Sequence, residues 1–206
     1  LIYKKVDYLY FGSNSAKQWW LKFYPWMDIK KNLVHFNGVE LQKKFKIKKK
    51  SNNLSISFVG RLEKENNPEF FINIAHDYLK NDKNAKFNVY GEGTMYNHLK
   101  NITRSNRIKF YGWKEKKSIY KHSDVIIITS KINNFPYVAL EAKSYGIPVI
   151  SCSKGDIKKI IKNNCDGYII YTNSPKKIIN LIKKISKNYS KFSRNSINRS
   201  KLFEIN

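Results

Sequence analysis

The sequence has no apolar run near the eighteen or so residues that a membrane-spanning helix requires. Its longest such stretch, VIII at Val125 to Ile128, has the length of a buried strand. Cysteine is almost missing. The two present, Cys152 and Cys165, lack metal-ligand spacing and nearby His partners, which argues against zinc and against a disulfide framework and favours a reducing cytoplasm. Methionine is as scarce, with only Met27 and Met95, and no basic-then-apolar-then-small signal pattern follows Leu1, so the chain reads as a fragment. Acid is short too: 15 Asp and Glu stand against 40 Lys and Arg, a formal charge of +25. Such an excess draws nucleic acid or an anionic membrane surface through counterion release. Here the lysines are scattered among Asn and Ile, a pattern that genome composition alone can impose. No RNA-binding motif appears, so membrane phospholipid, at the inner face of the membrane, is the anionic partner that fits best, and nucleic acid is disfavoured.

What is present supports one core, since 41% of the 206 residues are hydrophobic and 15% aromatic. From Leu1 to about Gly38 the signals are a short helix over Ser15 to Tyr24, closed by Pro25, a strand-like LVHF over 33 to 36, and a turn at Asn37-Gly38. Residues 43–53 are polar, basic and aperiodic, and read as an interdomain linker. After Asn53 short β-rich runs alternate with helix-length amphipathic segments. Strands are predicted at 56–59, 87–90, 107–110, 125–128, 148–151 and 168–170. Helices are predicted at 68–79, 94–102, 114–122, 136–145, 157–162 and 175–187. The alternation implies an α/β, Rossmann-like, doubly wound parallel sheet with right-handed crossovers, which binds ligands beyond the C-terminal strand edges.

Two places there could carry chemistry. FVGRL, Phe58 to Leu62, sets Gly60 and Arg61 on the loop leaving the first strand, where Gly allows close backbone approach and Arg offers a fork of donors for a diphosphate. A solvated surface Arg explains the same pattern. In NNFPYVALEAKSYGIPVIS, 133 to 151, Pro136 suits a first helical turn, the free amides of Tyr137 and Val138 would face the loop, and the helix dipole favours an anion there. Glu141, one turn in, is either an acceptor for two vicinal ribose hydroxyls or a solvated helix acid.

The order FVGRL, FNVYGEG, RIKFYGW, SDVIIITS and NNFPYVALEAKSYGIPVIS resembles the C-terminal, nucleotide-sugar-binding domain of family 4 retaining glycosyltransferases of the GT-B fold. KNLVHFNGVELQKKF, 31 to 45, resembles the segment leaving the N-terminal domain of that family. The resemblance implies a remnant of the acceptor-side domain over 1–42, the linker, a donor domain over 54–189, and a tail or helix over 190–206. It also implies transfer of a hexose from a nucleotide diphosphate sugar to a hydroxyl acceptor with retention, in polysaccharide or glycolipid synthesis. The acceptor side lies in the other half, so the fragment alone should bind donor weakly and transfer nothing.

By the same resemblance the second Glu of the family's Glu-x7-Glu motif falls on Glu141, at the ribose, and the first on Asn133, which would face the transferred sugar. Asn hydrogen-bonds a sugar but cannot stabilise positive charge on it. The backbone of Asn134 and Phe135 would approach sugar and diphosphate, and Arg61 and Asn133 are the positions where catalysis would act. The family's Lys five residues after its Arg is Asn66 here; losing such a contact costs about 1.5–3 kcal/mol, or ten- to a hundredfold. Lys64 is the nearby substitute. Lys159 stands where many relatives carry Glu, and the loop at Gly112 and Trp113 would lie beside the nucleobase, although Trp113 could equally be packing. His35, His76, His98 and His122 are unpaired, and no Asp-x-Asp pair exists, so neither metal nor other cofactor is expected. Asn66 and Asn133 together leave a second reading open, a non-catalytic binding module.

Overall fold

The structure is a computed structural model describing residues 7–27, 31–36, 38–41, 47–133 and 135–205. Asn37 of the expected turn, residues 43–46 of the linker and the site candidate Asn134 lie outside the described residues.

Six strands form one parallel sheet: β3 (Ser55–Val59), β4 (Lys86–Tyr90), β5 (Ile108–Gly112), β6 (Val125–Ile128), β7 (Val149–Ser151) and β8 (Gly167–Ile169). Their order is β5-β4-β3-β6-β7-β8. Interior parallel strands are covered on both faces and so read as unbroken apolar runs. In β6, Val125 and Ile127 join the hydrophobic cluster on one face, while Ile126 and Ile128 join the cluster on the other. The first face is covered by α2 (Pro68–Leu79) and α7 (Pro175–Lys187), both begun by a Pro whose missing amide costs nothing in the first turn. Ile178, Ile182 and Ile185 bury one stripe of α7 and its lysines stay outside. Opposite lie α4 (Lys116–Lys121), α5 (Tyr137–Ser144) and α6 (Ile157–Ile160). The region expected as tail or helix forms α8 (Tyr189–Ser200), packed on α5.

Several bounds move for identifiable reasons. Helix α3 (Tyr96–Ile102) starts two residues late because the amide and hydroxyl of Thr94 are both held by the Glu63 carboxylate, at 2.9 and 2.6 Å. Pro136 is not inside the first turn of α5; it is the residue before it, and its carbonyl accepts from Ala139. The N-terminal segment holds α1 (Asn14–Phe23), and beside it a parallel pair, β1 (Leu9–Phe11) with β2 (Asn32–Val34). Strand β1 was not anticipated, since three residues carry no periodicity. Asp156 accepts from the Ser15 amide at 2.9 Å and so ties the start of α1 to the α6 end of the sheet. Residues 47–53 lie against the body: the Lys48 ammonium bonds the carbonyls of Tyr120, Lys121 and Ser123 at the end of α4.

Three strand exits are laced together. Gly60 donates to Tyr90 O at 3.0 Å, Leu62 to Glu92 O at 2.8 Å and Gly91 to Gly112 O at 2.8 Å. The approach needs glycine: Gly91 has φ +132, and a Cβ there would lie 2.0 Å from Gly60 O.

Helix α5 is fixed from beneath by a buried ion pair. Lys143, with no exposed side-chain surface, meets Asp166 Oδ1 at 2.5 Å and the Asp166 carbonyl at 3.1 Å, just before β8. Burial pulls the Lys143 pKa down and the Asp166 carboxylate opposes it. Breaking such a pair from one side strands a charge, whereas replacing both partners is far milder. Asp166→Ala should therefore lose roughly 3–5 kcal/mol in urea unfolding, and adding Lys143→Met should recover most of it. A loss under about 1 kcal/mol for the single variant would contradict this anchoring role.

Candidate functional site

The chain winds outward from β3 through β4 to β5, then returns beside β3 as β6 and winds the other way. Between the C-terminal ends of β3 and β6 the crossovers part, and a crevice is left uncovered. Two cavities meet there, sharing Val59 and Gly60.

One, of about 270 Å³, is walled by Gly60, Asn66, Thr129, Asn133 and the start of α5. Tyr137 and Val138 are the first two residues of the helix, whose amides helix geometry leaves to partners outside it, at the positive end of the helix dipole. Phe135 is buried and packs between Phe36, at 5.1 Å between centroids, and Phe203, at 5.8 Å. Asn133 is half-buried and its amide donates to Lys154 O at 3.1 Å. Asn66 occupies the position of the missing lysine as a brace: Nδ2 donates to Arg61 O at 2.9 Å, and its carbonyl accepts from Thr129 Oγ1 at 2.7 Å across the crevice.

The second cavity, of about 430 Å³, is lined by Arg61, Glu92, Trp113, Lys116, Tyr120 and Glu141 among others. Glu141 is not a solvated helix acid. Its side chain is 14% exposed, Oε1 lies 2.6 Å from Lys116 Nζ, and Oε2 accepts from the Tyr120 hydroxyl at 2.7 Å. The carboxylate raises the Lys116 pKa, first through this hydrogen bond. Trp113 is 74% exposed, so it does not pack in the core of the described residues; its amide is 3.4 Å from Glu92 Oε1 on the loop that Gly112 turns with φ +65.

Arg61 is exposed and paired with Glu65 at 2.8 Å. Lys64 sits on the exposed turn Lys64–Asn66 and lines neither cavity, so of the two candidate positions for a second charge it is the asparagine that faces the crevice. Lys159 lies 4.0 Å from the centre of the Phe36 ring, a cation–π contact, outside both cavities. Thus the crevice gathers Gly60, Arg61, Asn66, Trp113, Asn133, Phe135, Tyr137, Val138 and Glu141, and leaves out Lys64. Sequence reasoning missed Lys116, Tyr120 and Thr129. The spacing of Lys116 and Tyr120, one turn apart on a helix facing Glu141, is the signal that could have found two of them.

A larger cavity, about 750 Å³, runs along α2 from Glu69 to Lys80 and past Arg104. No glycine is among the described residues that line it. Among the described residues no group of three or more His, Cys, Asp or Glu could hold a metal ion, and no helix is long and apolar enough to cross a membrane.

The fold has counterparts. The chain is 29% identical over 168 residues to an Escherichia coli UDP-Gal:alpha-D-GlcNAc-diphosphoundecaprenol alpha-1,3-galactosyltransferase, covering 78% of this chain and 43% of that one. The Anabaena protein HepE, solved with UDP and glucose, superposes with TM-score 0.81 at 16% identity, over 97% of this chain and 59% of that one. The C-terminal domain of a glycosyl transferase group 1 family protein from Francisella tularensis gives 0.68 at 24% identity, over 74% of this chain and 87% of that one. The chain spans less than half the length of the curated relatives it matches. A model of the glycosyl transferases group 1 family matches residues 39–202, and the chain belongs to that family.

Proposed function

We propose that this chain is the donor-binding part of a retaining, family 4 type transferase that moves a hexose from a nucleoside diphosphate sugar to a hydroxyl acceptor, in polysaccharide or glycolipid synthesis. One observation carries the reading: two cavities of complementary chemistry meet at Gly60 on the switch point of the sheet. The nucleoside fits the side holding Glu141 and Trp113, with the ribose hydroxyls on the carboxylate. The diphosphate crosses Gly60, where no side chain blocks it, and the sugar reaches Asn133 and the amides of Tyr137 and Val138. As the bond between anomeric carbon and diphosphate breaks, negative charge grows on the leaving oxygen; Arg61 and the α5 dipole stabilise it without a metal. Asn133 orients the sugar through hydrogen bonds.

Segment 7–36 fits the edge of an acceptor-side domain, because β1 and β2 form a parallel pair of three residues each and Tyr8, Tyr10, Trp19 and Phe23 stand exposed around it. The activity of the whole protein rests on both parts. The second reading, a non-catalytic binding module, is favoured by Asn66 and Asn133 together with the exclusion of Lys64 from both cavities, and turnover by the intact protein separates the two.

A second proposal concerns the basic surface. Between Asp166 and Glu204 there is no acid, and Lys and Arg recur along both helices. The basic linker joins them: Lys48 N donates to Ser193 Oγ and Lys50 Nζ to Ser186 Oγ. These bonds set residues 48 and 50 of the linker beside both helices, and the cations of the three segments fit an anionic phospholipid surface. Vesicles containing phosphatidylserine should retain the protein at low salt and release it at 0.5 M salt, since the attraction is screened over roughly 10 Å or less. Equal retention on neutral vesicles contradicts it.

The donor reading is tested at Arg61. Its pair with Glu65 is exposed and contributes at most about 1 kcal/mol, less than the 1.5–3 kcal/mol expected of a bond to diphosphate, so the guanidinium should exchange partners on binding. Arg61→Ala should weaken nucleoside diphosphate binding about ten- to a hundredfold by calorimetry, while Glu65→Ala should strengthen it, by up to about fivefold. Unchanged affinity in Arg61→Ala would remove Arg61 from the site.

A further inference from the structure

Glu141 carries two partners whose placement does more than neutralise it. Lys116 and Tyr120 lie four residues apart on α4, so both project from one face of that helix toward α5. They divide the carboxylate, Lys116 on Oε1 and Tyr120 on Oε2. A carboxylate has about four lone-pair sites, two on each oxygen. With one site on each oxygen occupied, one acceptor per oxygen remains on a carboxylate that lines the cavity, and a vicinal diol needs such a pair.

Helix α4 is itself held firmly. Tyr120 is 1% exposed and its ring packs on Tyr145 at 5.2 Å, while Lys48 bonds the carbonyls at the helix end. Burial, and then the neighbouring Glu141, push the phenol pKa well above its ordinary value, so the hydroxyl remains a proton donor across the working pH range. Lys116 differs: its side chain is 72% exposed and only its ammonium is committed. Tyr120 thus fixes the carboxylate from inside and Lys116 from the solvent side.

We propose that Tyr120 and Lys116 are positioning residues that orient the Glu141 carboxylate so that it selects a ribose with both hydroxyls present; the proposal rests on the donor reading above. Their role is discrimination between ribose and deoxyribose, apart from any effect on stability.

The test uses whichever of UDP, GDP and ADP this chain binds most tightly, paired with its 2′-deoxy analogue, titrated by calorimetry. The chain as it stands should prefer the ribonucleotide about tenfold or more, because the deoxy analogue leaves an acceptor of a partly buried carboxylate unmet. Tyr120→Phe and Lys116→Met should each shrink that preference several-fold toward unity. Tyr120→Phe made on top of Glu141→Ala should have no further effect on it. Lys116→Met alters an exposed side chain and keeps the test independent of any folding defect in Tyr120→Phe. A preference that survives in both single variants, with both ligands weakened alike, overturns the positioning role and leaves Lys116 and Tyr120 as structural contacts. Binding without any preference in the unaltered chain also overturns it, while the donor reading stands. Failure of all three nucleotides to bind defeats the donor reading itself.

Discussion

Between β3 and β6 the backbone departs in opposite directions, and no crossover can cover the C-terminal ends of both strands. Every feature of the crevice follows from that parting. The exposed strand ends must be closed by short loops, and the β3, β4 and β5 exits approach so closely that Gly60 and Gly91 touch through their backbones. Glycine there removes bulk where a diphosphate is proposed to cross. On the β6 side, the chain leads into α5, whose first residues, Tyr137 and Val138, line the same gap.

Electrostatics at the crevice is a matter of prior engagement. Arg61 is held by Glu65, Glu141 by Lys116 and Tyr120, and Asn66 by Arg61 O and Thr129. These contacts differ in strength by their exposure. The Arg61 pair is on the surface and readily exchanged, whereas Tyr120 is buried and would leave an unmet hydroxyl if it let go. An exchangeable cation and a fixed carboxylate are what the proposed leaving group and the proposed ribose contact would require. Asn66 carries no charge, yet as the brace of the Arg61 loop it keeps a defined place.

The fold was legible where burial is local. Helices over 68–79 and 175–187 and the strand over 125–128 fall where a leading Pro and an unbroken apolar run put them. The helix that carries Tyr137, Val138 and Glu141 was legible because a helix start after a strand announces itself. Contacts between distant segments left no such trace. Lys143 reads as a surface residue until Asp166 is placed beneath it, 23 residues on. Glu141 stays open between a ribose acceptor and a solvated acid until α4 brings Lys116 and Tyr120 to it, and the close approach required of Gly91 appears only with the neighbouring loop in place. Trp113 was ambiguous between packing and a place beside a nucleobase, and its exposure takes it out of the core of the described residues.

The central claim is that the two cavities at Gly60 form one nucleotide-sugar site. Backbone amide NMR of the isotope-labelled chain during addition of a nucleoside diphosphate tests it most directly. Gly60, Trp113, Tyr137, Val138 and Glu141 should shift together along a single binding curve, while the amides around His76 and Arg104, in the larger cavity along α2, stay in place. Shifts confined to that α2 cavity, or a response at Trp113 and Glu141 without one at Gly60 and Tyr137, would contradict the claim.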